Sequence, residues 1–253
     1  MARRPKPQKC VHCLKYTVDL NWDHVFPLSW YPDTTAANES KWKIPSCIPC
    51  NSAYGRLEKD FLERVGLCLD PSDPASRSIV DKVQRALDPT LARSDKERRA
   101  RSARRREIIR DVLEGVDIPR EATYPRLGER WDRPLEGQTA ITIPVEYFQR
   151  MTEKIVRGLF FLEDGKLIEP PFNIEHFAVH DGNAQHIRET LARFGHTHSR
   201  PPGIVVRRAV IPDDGISSIF EIVFWQQFSA FATVLAELPD QIEEKSGTEL
   251  SEP

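Results

Sequence analysis

The chain has 253 residues and a mass of 29.0 kDa, enough for two modest domains. Its 36 Lys and Arg against 38 Asp and Glu leave a net charge of -2 and a pI near 6.4, which argues against a protein that coats nucleic acid along its whole surface. No apolar run reaches membrane-spanning length, and the basic start Met1-Ala2-Arg3-Arg4-Pro5-Lys6-Pro7 lacks the apolar stretch of a secretory signal, so no membrane partner and a cytoplasmic location are expected. Of the 5 cysteines, four stand in Cys-x-x-Cys pairs, which suits a reducing compartment better than a disulfide framework; the fifth, Cys68, reads as a small buried apolar residue.

The N-terminal arm to about Lys9 offers nothing to bury and reads as disordered, its bases either meeting phosphate or simply solvated. Two pairs follow, Cys10-Val-His-Cys13 and Cys47-Ile-Pro-Cys50. That spacing brings two sulfurs to one ion through a tight turn, so the two pairs together predict a closed four-sulfur structural zinc site. In so short a module the metal is expected to do much of what a hydrophobic core would do. Tyr16 to Leu20 and Trp22 to Phe26 read as the two halves of a hairpin, with His24 on the second, and Pro27 ends the pairing. Residues 28 to 46 form a loop rich in aromatics, in which Trp30, Tyr31 and Trp42 either stack on bases or fill the small core. Asn51 follows the last cysteine directly. From Ala53 to Leu69 a helix is predicted, with Leu57, Phe61, Leu62 and Val65 on the face that packs over the hairpin.

Asp70-Pro-Ser-Asp-Pro stops that helix. Residues 76 to 114 read as two helical pieces broken at Asp88-Pro89, the second rich in Arg: Arg98, Arg99, Arg101, Arg104 and Arg105 stand with few interleaved acids, and with Arg56 they are candidates for phosphate contact. Pro119 to Pro134 reads as a proline-broken connector. Beyond it Thr139 to Ile143 is a predicted strand, and Pro144 opens a helix with Phe148, Met151, Ile155, Val156 and Leu159 at helical spacing. A strand over Ile174 to Val179, a helix over Asn183 to Phe194, and two strands over Ile204 to Ile211 and Ile219 to Phe231 complete the pattern. The histidines at 176, 180, 186, 196 and 198 read as ordinary ones, because no ligand-spaced partner accompanies them. The expected fold class is therefore α+β: a zinc-stapled module over 1 to 70, an Arg-rich helical connector over 71 to 135, a separate α+β domain over 136 to 238, and an acidic tail over 239 to 253.

The run Cys10, Cys13, Asp23-His24-Val25-Phe26-Pro27, Asn38, Cys47, Cys50, Asn51 resembles the HNH (ββα-metal) endonucleases, over roughly residues 8 to 68. The resemblance implies a treble-clef-like ββα module that hydrolyses phosphodiester bonds in nucleic acid, DNA above all. It implies that His24 activates water, that Asn38 orients it, and that Asp23 and Asn51 hold a catalytic Mg2+ or Mn2+. Trp42 stands where the family's central Asn often lies, and Gly55-Arg56 where a Lys is common. One such site cuts one strand at a time, so double-strand cleavage calls for a homodimer or two nicks. The rival from another class is a zinc-knuckle nucleic-acid-binding protein without chemistry, in which Asp23 and His24 are structural. A third reading makes the chain an adaptor that meets a protein partner through its C-terminal domain.

Overall fold

The computed structural model describes residues 4–33, 35–73, 76–118, 137–177, 181–200 and 203–237. The expected connector, its Trp131, His180 and the acidic tail lie outside the described residues. The chain is mixed α and β, with five α-helices and four sheets among those residues. No helix among them is long and apolar enough to cross a membrane.

The first strands are short: β1 (Gln8–Lys9) pairs antiparallel with β2 (Tyr16–Thr17) around the first cysteine pair, so the arm is ordered by position 8. β3 (Leu20–His24) then pairs not with β2, as the sequence suggested, but with β4 (Lys43–Cys47), with His24 opposite Lys43 and Asp23 opposite Ile44. The aromatic loop between them folds inward: Trp30 is fully buried and Tyr31 nearly so, while Trp42 packs on Phe26, which settles these rings as core. α1 (Ile48–Leu67) leaves β4 without a loop, opened by Pro49 in its first turn, where a proline costs no hydrogen bond. α2 (Arg77–Leu87) and α3 (Asp95–Arg110) follow, separated at Asp88-Pro89 as expected, with Ser94 capping α3 through the Glu97 N–H.

β5 (Val112–Glu114) pairs with β6 (Thr139–Ile141), and α4 (Val145–Glu163) opens after Pro144. The remaining elements are β7 (Phe172–Phe177), α5 (Asp181–Phe194), β8 (His196–Arg200), β9 (Ile204–Val210), β10 (Ser218–Phe224) and β11 (Phe228–Ala236). They make an antiparallel five-stranded sheet in the order β7-β11-β10-β9-β8. The stretch expected as one strand over Ile219 to Phe231 is thus a hairpin. Its turn carries Trp225 and Gln226 at positive φ of 46° and 60°, a conformation that non-glycine side chains adopt only when the surroundings hold them there.

Those surroundings belong to the N-terminal third of the chain. Trp225 is fully buried against Trp30, at 5.4 Å between ring centroids, and Gln227 accepts from the Asp70 N–H at 2.9 Å and donates to Ser76 Oγ at 2.9 Å. Trp30, Phe61, Phe148 and Phe224 continue one core that runs from Val11 to Val234, so the expected separate C-terminal domain is not a separate body. Nor does α1 lack a core: Phe61 meets Phe148 and Phe224 of the C-terminal half, and Leu62 and Val65 are buried in the same cluster.

α4 is the helix between the two halves. It buries Phe148, Met151, Ile155, Val156, Leu159 and Phe160, and Gly158 lies so close to the hairpin that an added Cβ would come within 2.7 Å of Val25 Cγ2. Val25 is β-branched and fully buried, so it has little freedom to give way. Gly158→Ala should therefore lose about 1–3 kcal/mol in denaturant unfolding, although Ala favours helix, and Val25→Ala in the same chain should recover part of the loss.

Candidate functional site

The four knuckle cysteines converge where β4 meets α1. Cys10 and Cys13 stand in the β1–β2 loop, closed by Leu14 at φ 62° and by its N–H to the Cys10 carbonyl; Cys47 ends β4 and Cys50 lies in the first turn of α1. Their sulfurs all lie within 4.8 Å of one another, and Cys13 Sγ and Cys47 Sγ are 3.8 Å apart. A tetrahedron with Zn–S bonds of about 2.3 Å has edges of roughly 3.8 Å, so this donor set fits zinc. Burial would raise the Cys10 thiol, but N–H groups of Cys13, Cys47 and His12 outweigh it and bring the group down to about 7. Burial pushes Cys47 and Cys50 up, and the neighbouring sulfurs add to this at Cys50, so the set holds its full negative charge only around a cation. Among the described residues these four are the one grouping of three or more Cys, His, Asp or Glu compact enough for a metal ion.

Strand alternation separates Asp23 from His24. Asp23 faces inward, 5 % exposed, with one carboxylate oxygen 2.9 Å from His12 Nε2 and the other accepting from Lys154 Nζ at 2.8 Å. Lys154, fully buried on α4, also donates to Glu58 of α1, and its ammonium lies 5.3 Å from the Tyr54 ring centroid. Burial alone would raise the Asp23 carboxyl; His12 and Lys154 overcome it and hold the group below the usual carboxylate range. Burial raises Glu58, with Lys154 opposing, and burial keeps the His12 imidazole neutral against the pull of Asp23. Both Asp23 oxygens are thus committed within the protein. A divalent ion on Asp23, as the resemblance implies, does not fit these residues.

His24 faces the other way. It is half-buried, and burial first, then the Lys43 ammonium across the hairpin, lower its imidazole below the ordinary value, which leaves it unprotonated at neutral pH. Trp22, two residues earlier on the same side of β3, is 39 % exposed. Asn51 sits half-buried in the first turn of α1, and Asn38 stands at an exposed turn of the β3–β4 loop.

The arginines divide. Arg104 binds Asp60 at 2.7 Å and Glu63 at 2.5 Å on α1 and Glu107 at 2.8 Å, and Arg101 binds Glu97 and the carbonyls of Arg85 and Asp88. These two fasten α3 to the protein, which corrects their expected phosphate role: α1 supplies two acids to Arg104, and α3's own Glu97 and Glu107 meet Arg101 and Arg104. Arg98 pairs with Asp95 at the surface, Arg99 reaches the Asp95 carbonyl, and Arg56 and Arg105 are exposed. His12, Tyr54, Glu58 and Lys154 join the site without a functional pattern around them in the sequence. Only His12 carried a signal, its place inside the first knuckle.

Comparison of the chain with family models, with curated proteins and with solved structures finds no match.

Cys47→Ser should lower the zinc content, read by elemental analysis, and open residues 8 to 24 to proteolysis, while the shared core keeps most of the far-UV circular dichroism. Global unfolding on zinc loss would show that the metal, not the core, holds α1.

Proposed function

We propose that the chain is an HNH-type endonuclease whose N-terminal ββα module, stapled by zinc on Cys10, Cys13, Cys47 and Cys50, hydrolyses phosphodiester bonds in nucleic acid, DNA first. The observation that carries the reading is His24, a half-buried imidazole opposite Lys43, presented outward by a hairpin that runs through the four-thiol corner straight into α1. His24 is placed to take a proton from water as that water's oxygen bonds to phosphorus and the P–O3′ ester bond breaks, the departing 3′ oxygen taking a proton from solvent, and the Lys43 ammonium offsets charge on the phosphate. No step is assigned to an ion on Asp23. Arg56, Arg98, Arg99 and Arg105 supply exposed positive charge for the phosphate backbone. Free thiolates around zinc suit the reducing cytoplasm.

One observation favours the rival reading, a zinc-knuckle binding protein without chemistry: the commitment of Asp23 to His12 and Lys154, which gives the aspartate a structural role.

The two separate on plasmid and single-stranded DNA incubated with zinc-loaded protein, in magnesium, in manganese and in EDTA, beside His24→Ala. The nuclease reading expects cleavage that falls at least about 100-fold in the variant. Cleavage that survives the substitution, or none of any DNA or RNA by the intact chain, overturns it. The rate should fall on acidification with an inflection below about 6.5, because the lowered imidazole of His24 gains its proton only there.

A further inference from the structure

The resemblance places a cation against the aspartate of the Asp-His pair, and this chain brings a positive charge of its own to that place. We infer that the Lys154 ammonium stands in for a divalent ion on Asp23, and that α4 is thereby a working part of the hairpin, holding β3 so that His24 faces outward. The inference rests on the nuclease reading for the role of the hairpin and on geometry for the rest.

Lys154 Nζ is 2.8 Å from Asp23 Oδ1, is shared with Glu58, and lies over the Tyr54 ring; the side chain has no exposed surface and Asp23 has 5 %. The second Asp23 oxygen is held by His12 at 2.9 Å. Magnesium sheds water reluctantly and usually keeps several of its waters, so it needs an open, wet position beside its carboxylate. A side chain this enclosed offers none. An ammonium on a four-carbon stem needs no such space: it enters from α4 already tethered, and two carboxylates and an aromatic face replace the water it loses.

The same helix makes a second contact one turn on. Lys154 and Gly158, at i and i+4, share a face of α4; the first takes Asp23 and the second receives Val25. Asp23 precedes His24 in β3, and Val25 follows it just past the end of the strand. With both neighbours drawn inward, alternation turns the imidazole outward, toward Lys43 and solvent. Lys154 is on this account a positioning residue, acting on His24 through the strand, and never touches substrate.

Three measurements on zinc-loaded full-length chain test this, none with nucleic acid. Mn2+ titration followed by the electron paramagnetic resonance of free Mn2+ should show no stoichiometric uptake by the native chain, whereas Lys154→Met, which removes the charge at similar length, should acquire uptake. Acetic anhydride labelling read by mass spectrometry should modify Lys154 at least about tenfold more slowly than the exposed Lys59, with or without Mn2+. One-to-one uptake by the native chain that also speeds Lys154 labelling overturns the inference, as does labelling of Lys154 at the rate of Lys59. A folded Lys154→Met chain that binds no Mn2+ overturns it too; if that variant does not fold, the two measurements on the native chain decide. A chain that cuts no nucleic acid removes the nuclease reading and leaves the ammonium in place, whereas cleavage driven by Mn2+ on Asp23 removes this inference alone.

Discussion

The buried ion pair between Asp23 and Lys154 joins residues 131 apart in sequence and fixes how the two halves of the molecule meet. Moving an ammonium and a carboxylate out of water costs several kcal/mol each, and their attraction recovers this only where geometry is good and the remaining hydrogen-bonding positions are filled. Here the ion pair has such partners, His12 on the second Asp23 oxygen and Glu58 with the Tyr54 ring on the ammonium, while the buried His12 Nδ1 has none. Such a network adds little net stability over apolar residues of the same volume, but removing one member strands a charge, at about 3–5 kcal/mol. Its effect is to exclude other arrangements. α4 can lie against the hairpin in one position, with Lys154 at Asp23 and Gly158 at Val25, and the aromatic core closes around that position.

The four-thiol corner, which fits zinc, and the core divide the work between them. A metal site holds what buries little: the β1–β2 loop sets only Cys10, Val11 and His12 inward, and Tyr16 of β2 and Val18 just after it are largely exposed. α1 needs less help, because Phe61 meets Trp30, Phe148 and Phe224 from three other parts of the chain. The corner therefore fastens a strand pair and a helix end that are already placed by packing on either side. That is a different balance from a small metal-dependent domain, and it follows from the C-terminal half folding onto the N-terminal one.

What could be read in the sequence was local. Cysteine spacing, the apolar stripe of α1, the break at Asp88-Pro89 and the proline before α4 each signal through neighbours within a few residues, and the elements stand where those signals put them. What could not be read depends on distant partners. The β10–β11 turn lacks the glycine or asparagine that normally marks positive φ, since Trp225 is held there by Trp30 and Gln227 by the segment after α1. Sequence proximity favours pairing β3 with β2, whereas in the fold β3 pairs with β4, whose last residue, Cys47, is part of the thiol corner. Lys154 gave no sign. In a helix patterned by Phe148, Met151, Ile155 and Leu159 a lysine reads as part of the wet face, and only a carboxylate 131 positions away makes it core.

The adjacent Asp23 and His24 show how a motif's meaning depends on the backbone that carries it. Two consecutive residues in a paired strand point to opposite faces, so from within β3 a carboxylate and an imidazole cannot close on one ion together. The inward residue meets whatever packs beneath the hairpin and the outward one meets solvent. Here a helix with a lysine packs beneath, so the carboxylate is spent on architecture and the imidazole stays half-buried on the other face beside Lys43. Its burial and its lysine neighbour keep that imidazole unprotonated, which is the state a base requires. The same strand that gives up a ligand on one face thus secures a proton acceptor on the other.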